Sequence, residues 1–173
     1  DWSNDHVLED FITNAMGTVL LLEATRQYCP EAIFVYVSTD KVYGENMNLV
    51  RSRLYGFKEN LGLDFAGHRS PFGCSKTTGD IYTQEYAHTF GLKTGIFRPG
   101  CITGKNHEGS ELHGMLAYLA KCIREGKTYK IFGFKGKQVR DQIHASDLAS
   151  AFWHFIQNPR PGEVYNIGGG PER

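Results

Sequence analysis

The chain has 173 residues, and its 19 lysines and arginines balance 19 aspartates and glutamates, so the formal net charge is zero. A general nucleic-acid-binding protein would carry an excess of basic residues, so nucleic acid is not expected as a partner. No apolar run approaches the roughly 20 residues that a membrane-spanning helix needs. Residues 1–10 are acidic and polar and lack the pattern of a signal peptide, so we expect no association with a membrane.

The four cysteines lie far apart in the chain and form no C-x-x-C pair; they are Cys29, Cys74, Cys101 and Cys122. This spacing is typical of reduced thiols and not of a disulfide framework or a zinc site. We therefore expect a cytoplasmic protein without a bound metal.

Hydrophobic periodicity predicts alternating helices and strands. Apolar residues recur every three or four positions from Val7 to Tyr28, which indicates a helix, and Pro30 ends it. The apolar run over residues 33–38 is short and consists of β-branched and aromatic residues, as in a strand buried on both faces. Residues 44–70 lack a clear period, so we expect a long loop there, and loops of this length in compact domains usually have a function.

The alternation continues towards the C-terminus. The further predicted elements are a helix over 71–91, a strand over 93–97, a helix over 112–126, strands over 128–132 and 138–144, a helix over 145–157 and a strand over 164–167. Because strands and helices alternate, we predict an α/β fold with a parallel sheet and helices on both of its faces.

Ligands of such sheets bind beyond the carboxyl ends of the strands. Three segments directly follow predicted strands and are the first candidates for a site: residues 38–40, 98–100 and 166–168. A dinucleotide-binding fold opens with a strand followed by G-x-G-x-x-G, and the sequence contains no such motif. We therefore expect the chain to be the middle and later part of a larger protein whose first βαβ unit, with its glycine loop, is missing.

Two motifs at candidate positions resemble those of a known family. S-T-D-K-V-Y-G at 38–44 follows a predicted strand, and S-P-F-G-C-S-K at 70–76 opens a predicted helix. The pair resembles the extended short-chain dehydrogenases/reductases, which are NAD-dependent nucleotide-sugar epimerases and dehydratases. Further motifs match in order: N-x-x-G-T at 14–18, L-L-E-A at 21–24, F-R-P at 97–99, V-R-D at 139–141, H-x-x-D at 144–147 and Y-N-I-G-G at 165–169. Together they look most like the subgroup of CDP-paratose (CDP-tyvelose) 2-epimerases.

The resemblance implies a Rossmann-like fold, NAD as cofactor, and epimerisation through transient oxidation and re-reduction of a sugar. In this family a tyrosine and a lysine four residues later share one helix face. The tyrosine takes the proton of a sugar hydroxyl, and the lysine lowers the pKa of the tyrosine and holds the nicotinamide ribose. Lys76 occupies the lysine position, and Thr39 that of a residue whose hydroxyl hydrogen-bonds the same sugar hydroxyl.

The position of the catalytic tyrosine holds Phe72. Phenylalanine has no ionisable oxygen and cannot transfer a proton, and general acid–base catalysis is typically worth about 10²–10⁴-fold in rate. Three explanations remain open. The phenylalanine replaces tyrosine on purpose to trap a ligand, or the protein is a naturally impaired or repurposed member, or another acid or base takes over. The candidates for the last role are Asp40, Tyr43, Tyr55, His68 and Cys74.

The resemblance also assigns binding residues. Those expected along the cofactor are Ser38, Lys76, Arg98, Pro99 and Cys101. For the substrate, the planar guanidinium of Arg140 suits bidentate pairing with a diphosphate, and the alternative is an ion pair with Asp141 or Asp147. Asp40 either touches the sugar or begins a turn, and Lys41 is expected with Asp40 and Arg140 among the substrate-binding residues.

Lys41 bears on the type of reaction. The family's dehydratases resemble T-D-E at this place and use the acid pair to eliminate water. Lys41 cannot replace that glutamate as a general base, so epimerisation is expected over dehydration. The alternatives are a non-catalytic nucleotide-sugar-binding protein and a nucleotide-sugar 4,6-dehydratase.

The resemblance further predicts the domain organisation and the partners. Residues 1–110 are expected to form the later part of an NAD-binding Rossmann domain. Residues 111–173 are expected to form part of a substrate-binding region mixed with Rossmann elements. The expected partners are a nucleotide sugar and a second copy of the chain in a homodimer.

Overall fold

The computed structural model describes residues 2–49, 56–111, 113–137 and 139–170. The helices are α1 (Trp2–Asp5), α2 (Val7–Phe11), α3 (Gly17–Tyr28), α4 (Ser70–Phe90), α5 (Met115–Glu125) and α6 (Ala145–Gln157). The strands are β1 (Ile33–Val37), β2 (Lys93–Pro99), β3 (Cys101–Thr103), β4 (Gln142–His144) and β5 (Glu163–Ile167). Short 3₁₀-helices cover Asp40–Tyr43, Glu45–Leu49 and Phe134–Gly136, and a π-helical segment, Ile12–Met16, joins α2 to α3.

The main sheet has three parallel strands in the order β1-β2-β5, and β3 pairs with β4 in a separate parallel ladder. This arrangement confirms the predicted parallel α/β fold. In the main sheet Val37 is paired with Phe97, and Pro99 with Ile167. The segments that follow β1, β2 and β5 therefore meet at one edge of the sheet.

Helices cover both faces of the central strand β2, as predicted. On one face the Thr94 hydroxyl donates a hydrogen bond of 2.9 Å to the carbonyl of Thr83 in α4. On the other face the Phe97 ring packs edge-on against Phe155 of α6, with ring centroids 5.8 Å apart. Alternate side chains of β2 thus point into two different helical layers, which fixes the register of this strand.

The predicted helix from Val7 to Tyr28 is present as α2, the π-helical segment and α3 in succession. On its inner face Leu22 is fully buried and packs with Tyr86 and Leu92. The helix ends directly before Pro30, since Cys29 has non-helical backbone angles. The short helix α1, which precedes it, was not predicted.

Two predicted strands differ from the structure. Residues 128–132 form no strand, and the side chains of Ile131 and Phe132 are 63% and 47% exposed. A strand needs a paired neighbour for its backbone hydrogen bonds, and no described strand pairs with this segment. Of the predicted strand over 138–144, only β4 is formed, beside β3, and Gln138 lies outside the described residues.

The helix predicted from residue 112 to 126 begins later, at Met115. Gly114 precedes it with a left-handed backbone (φ 75°), and Leu112 lies outside the described residues. The predicted end is confirmed, because Gly126 caps the helix with φ 63°.

All four cysteines are free thiols. Within the described residues, no helix has both the length and the apolar character needed to cross a membrane. The division of the chain at residue 110 stays a prediction.

The close packing of α6 on β2 leads to a test at Gly95. A Cβ atom at this position would lie 2.8 Å from Cε2 of Phe155, whose ring is wedged against Phe97 and Tyr165. Gly95→Ala should therefore lower the free energy of unfolding by about 1–3 kcal/mol through overpacking, measured by urea denaturation. Gly62→Ala is the control, since nothing lies within 4 Å of a Cβ there. Equal stability of the two variants would refute this packing account.

Candidate active site

The structure brings the segment after β1 into contact with the first turns of α4. Lys41 follows β1, and its ammonium nitrogen lies 5.2 Å from the centroid of the Phe72 ring in α4. A cation at this distance from a ring face makes a favourable cation–π contact. Two residues predicted to lie in one site, Lys41 and Phe72, therefore touch.

Thr39 caps the 3₁₀-helix Asp40–Tyr43. Its hydroxyl accepts a hydrogen bond of 3.4 Å from the backbone N–H of Lys41 and donates one of 3.1 Å to Oδ1 of Asp40. A hydroxyl has one donor and two acceptor lone pairs, so Thr39 keeps one acceptor lone pair beyond these contacts. It can accept a hydrogen bond from a ligand hydroxyl without losing its role as a cap.

Lys76 lies one helical turn after Phe72 on α4, and its ammonium nitrogen sits 4.4 Å from the ring centroid of Tyr36 in β1. Burial lowers the pKa of Lys76, and the negative charges of Asp80 and Asp10 oppose that shift. Within the described residues, no hydrogen-bond acceptor contacts this nitrogen. Its N–H groups are therefore available to a neutral acceptor such as a ribose hydroxyl.

Asp10 fixes α2 against α4 beside Lys76. Its buried carboxylate accepts hydrogen bonds from the Ser3 hydroxyl (2.9 Å), the Asn14 side-chain amide (3.1 Å) and the Ser75 hydroxyl. Asn14 also donates to the Ser75 hydroxyl, at 3.2 Å. The residue next to Lys76 is thus held by a fully satisfied polar cluster, which gives this part of the helix a defined position.

A second buried polar network lies directly under the site. The carboxylate of Asp80, one turn after Lys76, is fully buried and accepts two hydrogen bonds from the Arg98 guanidinium, at 2.7 and 2.9 Å. It also accepts a hydrogen bond of 2.5 Å from the Ser38 hydroxyl. Burial alone would lower the pKa of Arg98, but the hydrogen bonds and the charge of Asp80 outweigh it and raise this pKa. Arg98 is therefore a permanent cation.

Tyr43 extends the network to β5, the third strand of the main sheet. Arg98 donates to the Tyr43 hydroxyl at 2.9 Å, and this hydroxyl donates to Oδ1 of Asn166 at 2.7 Å. Asn166 in turn donates from its side chain to the carbonyl of Phe57 at 2.8 Å. Side chains at the carboxyl ends of β2 and β5 are thereby linked to the segment that follows β1.

Two of the residues predicted to bind the cofactor already have partners within the protein. The side chains of Ser38 and Arg98 turn towards Asp80, so both are engaged within the protein. Their contact with a cofactor stays a prediction, as does that of Pro99, which is buried at the end of β2. Asp80 itself was not predicted, although its spacing four residues after Lys76 placed both on one helix face.

The three residues predicted to bind the substrate carry charges that act on Cys101, the first residue of β3. Partial burial raises the pKa of the Cys101 thiol, and the charge of Asp40 adds to the increase, whereas Arg140 and Lys41 oppose it. The charges of Asp40, Lys41 and Arg140 thus all act on the Cys101 thiol.

The structure constrains the residues that could replace the missing phenol. Tyr43 has its hydroxyl held between Arg98 and Asn166. His68 lies at the surface with its Nδ1 3.5 Å from a carboxylate oxygen of Glu45. Cys74 is exposed, Asp40 accepts the hydrogen bond from Thr39, and Tyr55 lies outside the described residues.

Comparison with known proteins gives one consistent match. A profile of the NAD dependent epimerase/dehydratase family matches residues 1–168. The chain is 36% identical to CDP-paratose 2-epimerase of Salmonella typhi, in an alignment covering 96% of this chain and 53% of that protein. These matches confirm the family expected from the motifs at 38–44 and 70–76.

Solved structures agree. The dTDP-glucose 4,6-dehydratase of Bacillus anthracis in complex with NAD has a TM-score of 0.77 and 34% identity, covering 92% of this chain and 47% of that one. A tyrosine-to-phenylalanine variant of UDP-glucuronic acid 4-epimerase from Bacillus cereus, in complex with NAD and UDP-4-deoxy-4-fluoro-glucuronic acid, has a TM-score of 0.74 and 29% identity, covering 91% and 46%. The chain thus spans about half the length of the relatives it matches.

The ion pair beneath the site can be tested with Asp80→Asn. The substitution leaves the Arg98 charge buried without a counter-charge, and breaking such a pair typically destabilises a protein by about 3–5 kcal/mol. We expect a loss of this size in urea denaturation. The matched control is Glu31→Gln, which removes a surface ion pair with Lys93 and should leave the unfolding transition unchanged. If both variants unfold at the same urea concentration, the buried pair does not have the role described.

Proposed function

The chain belongs to the NAD-dependent epimerase/dehydratase family, and from this premise we propose that it forms the active-site part of an enzyme that epimerises a nucleotide-diphosphate sugar. The observation that carries the proposal is the position of Lys76. It lies one turn after Phe72 on α4, and Phe72 contacts Lys41 in the segment after β1.

The residues present fit NAD at the ribose of its nicotinamide half. The Lys76 ammonium is partly buried, lies on an aromatic face and has N–H groups that no described acceptor occupies. Such a group favours ribose hydroxyls, which accept hydrogen bonds without neutralising its charge. When bound, NAD supplies the transient uptake and return of a hydride. Pro99 and Cys101 line the same edge of the sheet.

The remaining residues orient the sugar nucleotide. The free lone pair of Thr39 accepts a hydrogen bond from the reacting sugar hydroxyl, which holds that hydroxyl near position 72. Arg140 pairs with the diphosphate through its planar guanidinium. Asp40 and Lys41 contact sugar hydroxyls from the segment after β1.

Epimerisation is favoured over dehydration by Lys41. Its ammonium lies over the Phe72 ring, and a protonated lysine has no lone pair with which to take a proton. The resemblance to dTDP-glucose 4,6-dehydratases makes dehydration the alternative reaction.

Phe72 supports a second candidate function, non-catalytic binding of a nucleotide sugar. In the Bacillus cereus relative, a tyrosine-to-phenylalanine replacement is compatible with a complex that contains NAD and a sugar nucleotide. A phenylalanine at position 72 can in the same way leave binding intact while proton transfer is lost.

Restoring the hydroxyl is the central test. Phe72→Tyr places a phenol beside the Lys41 ammonium, which favours its ionised form, and one helical turn before Lys76. We expect turnover of a CDP-sugar by the full-length protein to rise about 10²–10⁴-fold, measured by chromatography of the products after incubation with NAD. Phe90→Tyr is the control, because Phe90 is the last residue of the same helix.

The products separate the candidates. An epimer supports the proposal, whereas a 4-keto-6-deoxy sugar identifies a dehydratase. Binding of the CDP-sugar without any product from Phe72→Tyr would identify a binding protein and overturn the epimerase assignment.

We propose that two copies of the chain form a homodimer through α3 and α4. These helices pack together and expose apolar side chains, among them Leu20, Leu21, Ile81 and Tyr82. Burial of this face in a dimer would remove it from water.

The double variant Leu21→Glu/Ile81→Glu should therefore be monomeric in sedimentation velocity, because two buried carboxylates without partners oppose association. Lys93→Glu, on β2, is the control and should sediment as the unmodified protein does. An unchanged sedimentation coefficient for the double variant would contradict this interface.

A further inference from the structure

Tyr36 makes two separate contacts with Lys76. The face of its ring lies 4.4 Å from the ammonium nitrogen. Its hydroxyl donates a hydrogen bond of 3.1 Å to the main-chain carbonyl of the same lysine. One side chain of β1 therefore holds both the backbone and the charged end of a single residue of α4.

The helix is shaped to receive this tyrosine. Gly79 lies one turn after Lys76, and a Cβ atom there would be 2.7 Å from Cζ of the Tyr36 ring. A side chain at position 79 would thus displace the ring from beneath the helix. The absence of a Cβ lets Tyr36, which is 6% exposed, reach across α4 to the Lys76 carbonyl.

The Tyr36 hydroxyl is buried and donates to the Lys76 carbonyl. Burial, followed by the negative charge of Asp80, raises the pKa of Tyr36 well above its usual range, so the phenol stays neutral. A neutral ring can still attract a cation through its quadrupole.

We propose that Tyr36 is a positioning residue for Lys76, holding the ammonium on the face of its aromatic ring. Two carboxylates also face this ammonium, Asp10 from α2 and Asp80 from α4. They supply charge, while the ring offers the ammonium a surface that takes up none of its N–H groups. The importance of this placement for a ribose rests on the proposed function, but the contact itself does not.

The test reverses the quadrupole of the aromatic ring at position 36 and keeps the shape of the ring. Tyr36→Phe retains the aromatic face, and pentafluorophenylalanine incorporated at position 36 reverses its quadrupole at nearly the same size. The ionisation of Lys76 is followed by NMR of ¹³C-labelled lysine side chains, with the signal assigned through Lys76→Arg. The Tyr36→Phe protein should titrate as the unmodified protein does. With the fluorinated ring, the neutral fraction of Lys76 at a fixed pH should rise about tenfold.

Tyr86 provides a matched control. Tyr86 is buried, as Tyr36 is. It packs with Leu22 and Leu92, and its hydroxyl donates a hydrogen bond to Glu23 and not to Lys76. Pentafluorophenylalanine at position 86 should leave the titration of Lys76 unchanged. The proposal is overturned if fluorination at position 36 has no effect, or if both positions shift Lys76 equally. The measurement needs neither NAD nor turnover, so its failure would leave the outcome of Phe72→Tyr standing.

Discussion

The buried pair of Asp80 and Arg98 determines the geometry of the site. Two charges withdrawn from water are tolerated only when both are paired and hydrogen-bonded, and here Asp80 accepts from Arg98 and Ser38 while Arg98 also donates to Tyr43. These residues come from α4, from β2 and from the segment after β1. The pair can form only when those elements are correctly placed. The positions of Thr39 and Lys76 follow, because Thr39 is next to Ser38 and Lys76 lies one helical turn before Asp80, and Phe72 precedes Lys76 by one further turn of the same helix.

Above the network, the site depends on a balance of forces on one ammonium group. Burial disfavours the charged form of Lys76, whereas Asp10, Asp80 and the Tyr36 ring favour it. Within the described residues, neither carboxylate forms a direct ion pair with the nitrogen. The carboxylates and the ring therefore favour the charged form of Lys76, and its hydrogen-bond donors remain available. A lysine closed into a salt bridge could not offer the same contact to a neutral ligand.

The sequence predicted the helix and strand boundaries that depend on local patterns of residues. The helix ending before Pro30, the strand before Ser38 and the helix closed by Gly126 all follow from periodicity and from residues that end helices. The strand predicted over 128–132 was wrong, since an apolar run becomes a strand only beside a partner. Family motifs located Lys76 and Phe72, but Asp80 and Tyr36 act through tertiary contacts with Arg98 and with the Lys76 side chain. Only the spacing of Asp80 from Lys76 hinted at such contacts.

Phe72, which occupies the position of the family's tyrosine, contacts the ammonium group of Lys41. The Lys41 ammonium lies over the ring at position 72, and Lys76 follows Phe72 by one helical turn in α4. A cation in the position of the Lys41 ammonium favours an oxyanion, which is the form that a phenol would take as a base. Phenylalanine cannot provide it, yet the electrostatic environment that would stabilise it is present. Phe72 therefore stands beside a positive charge that would favour the oxyanion of a phenol at this position.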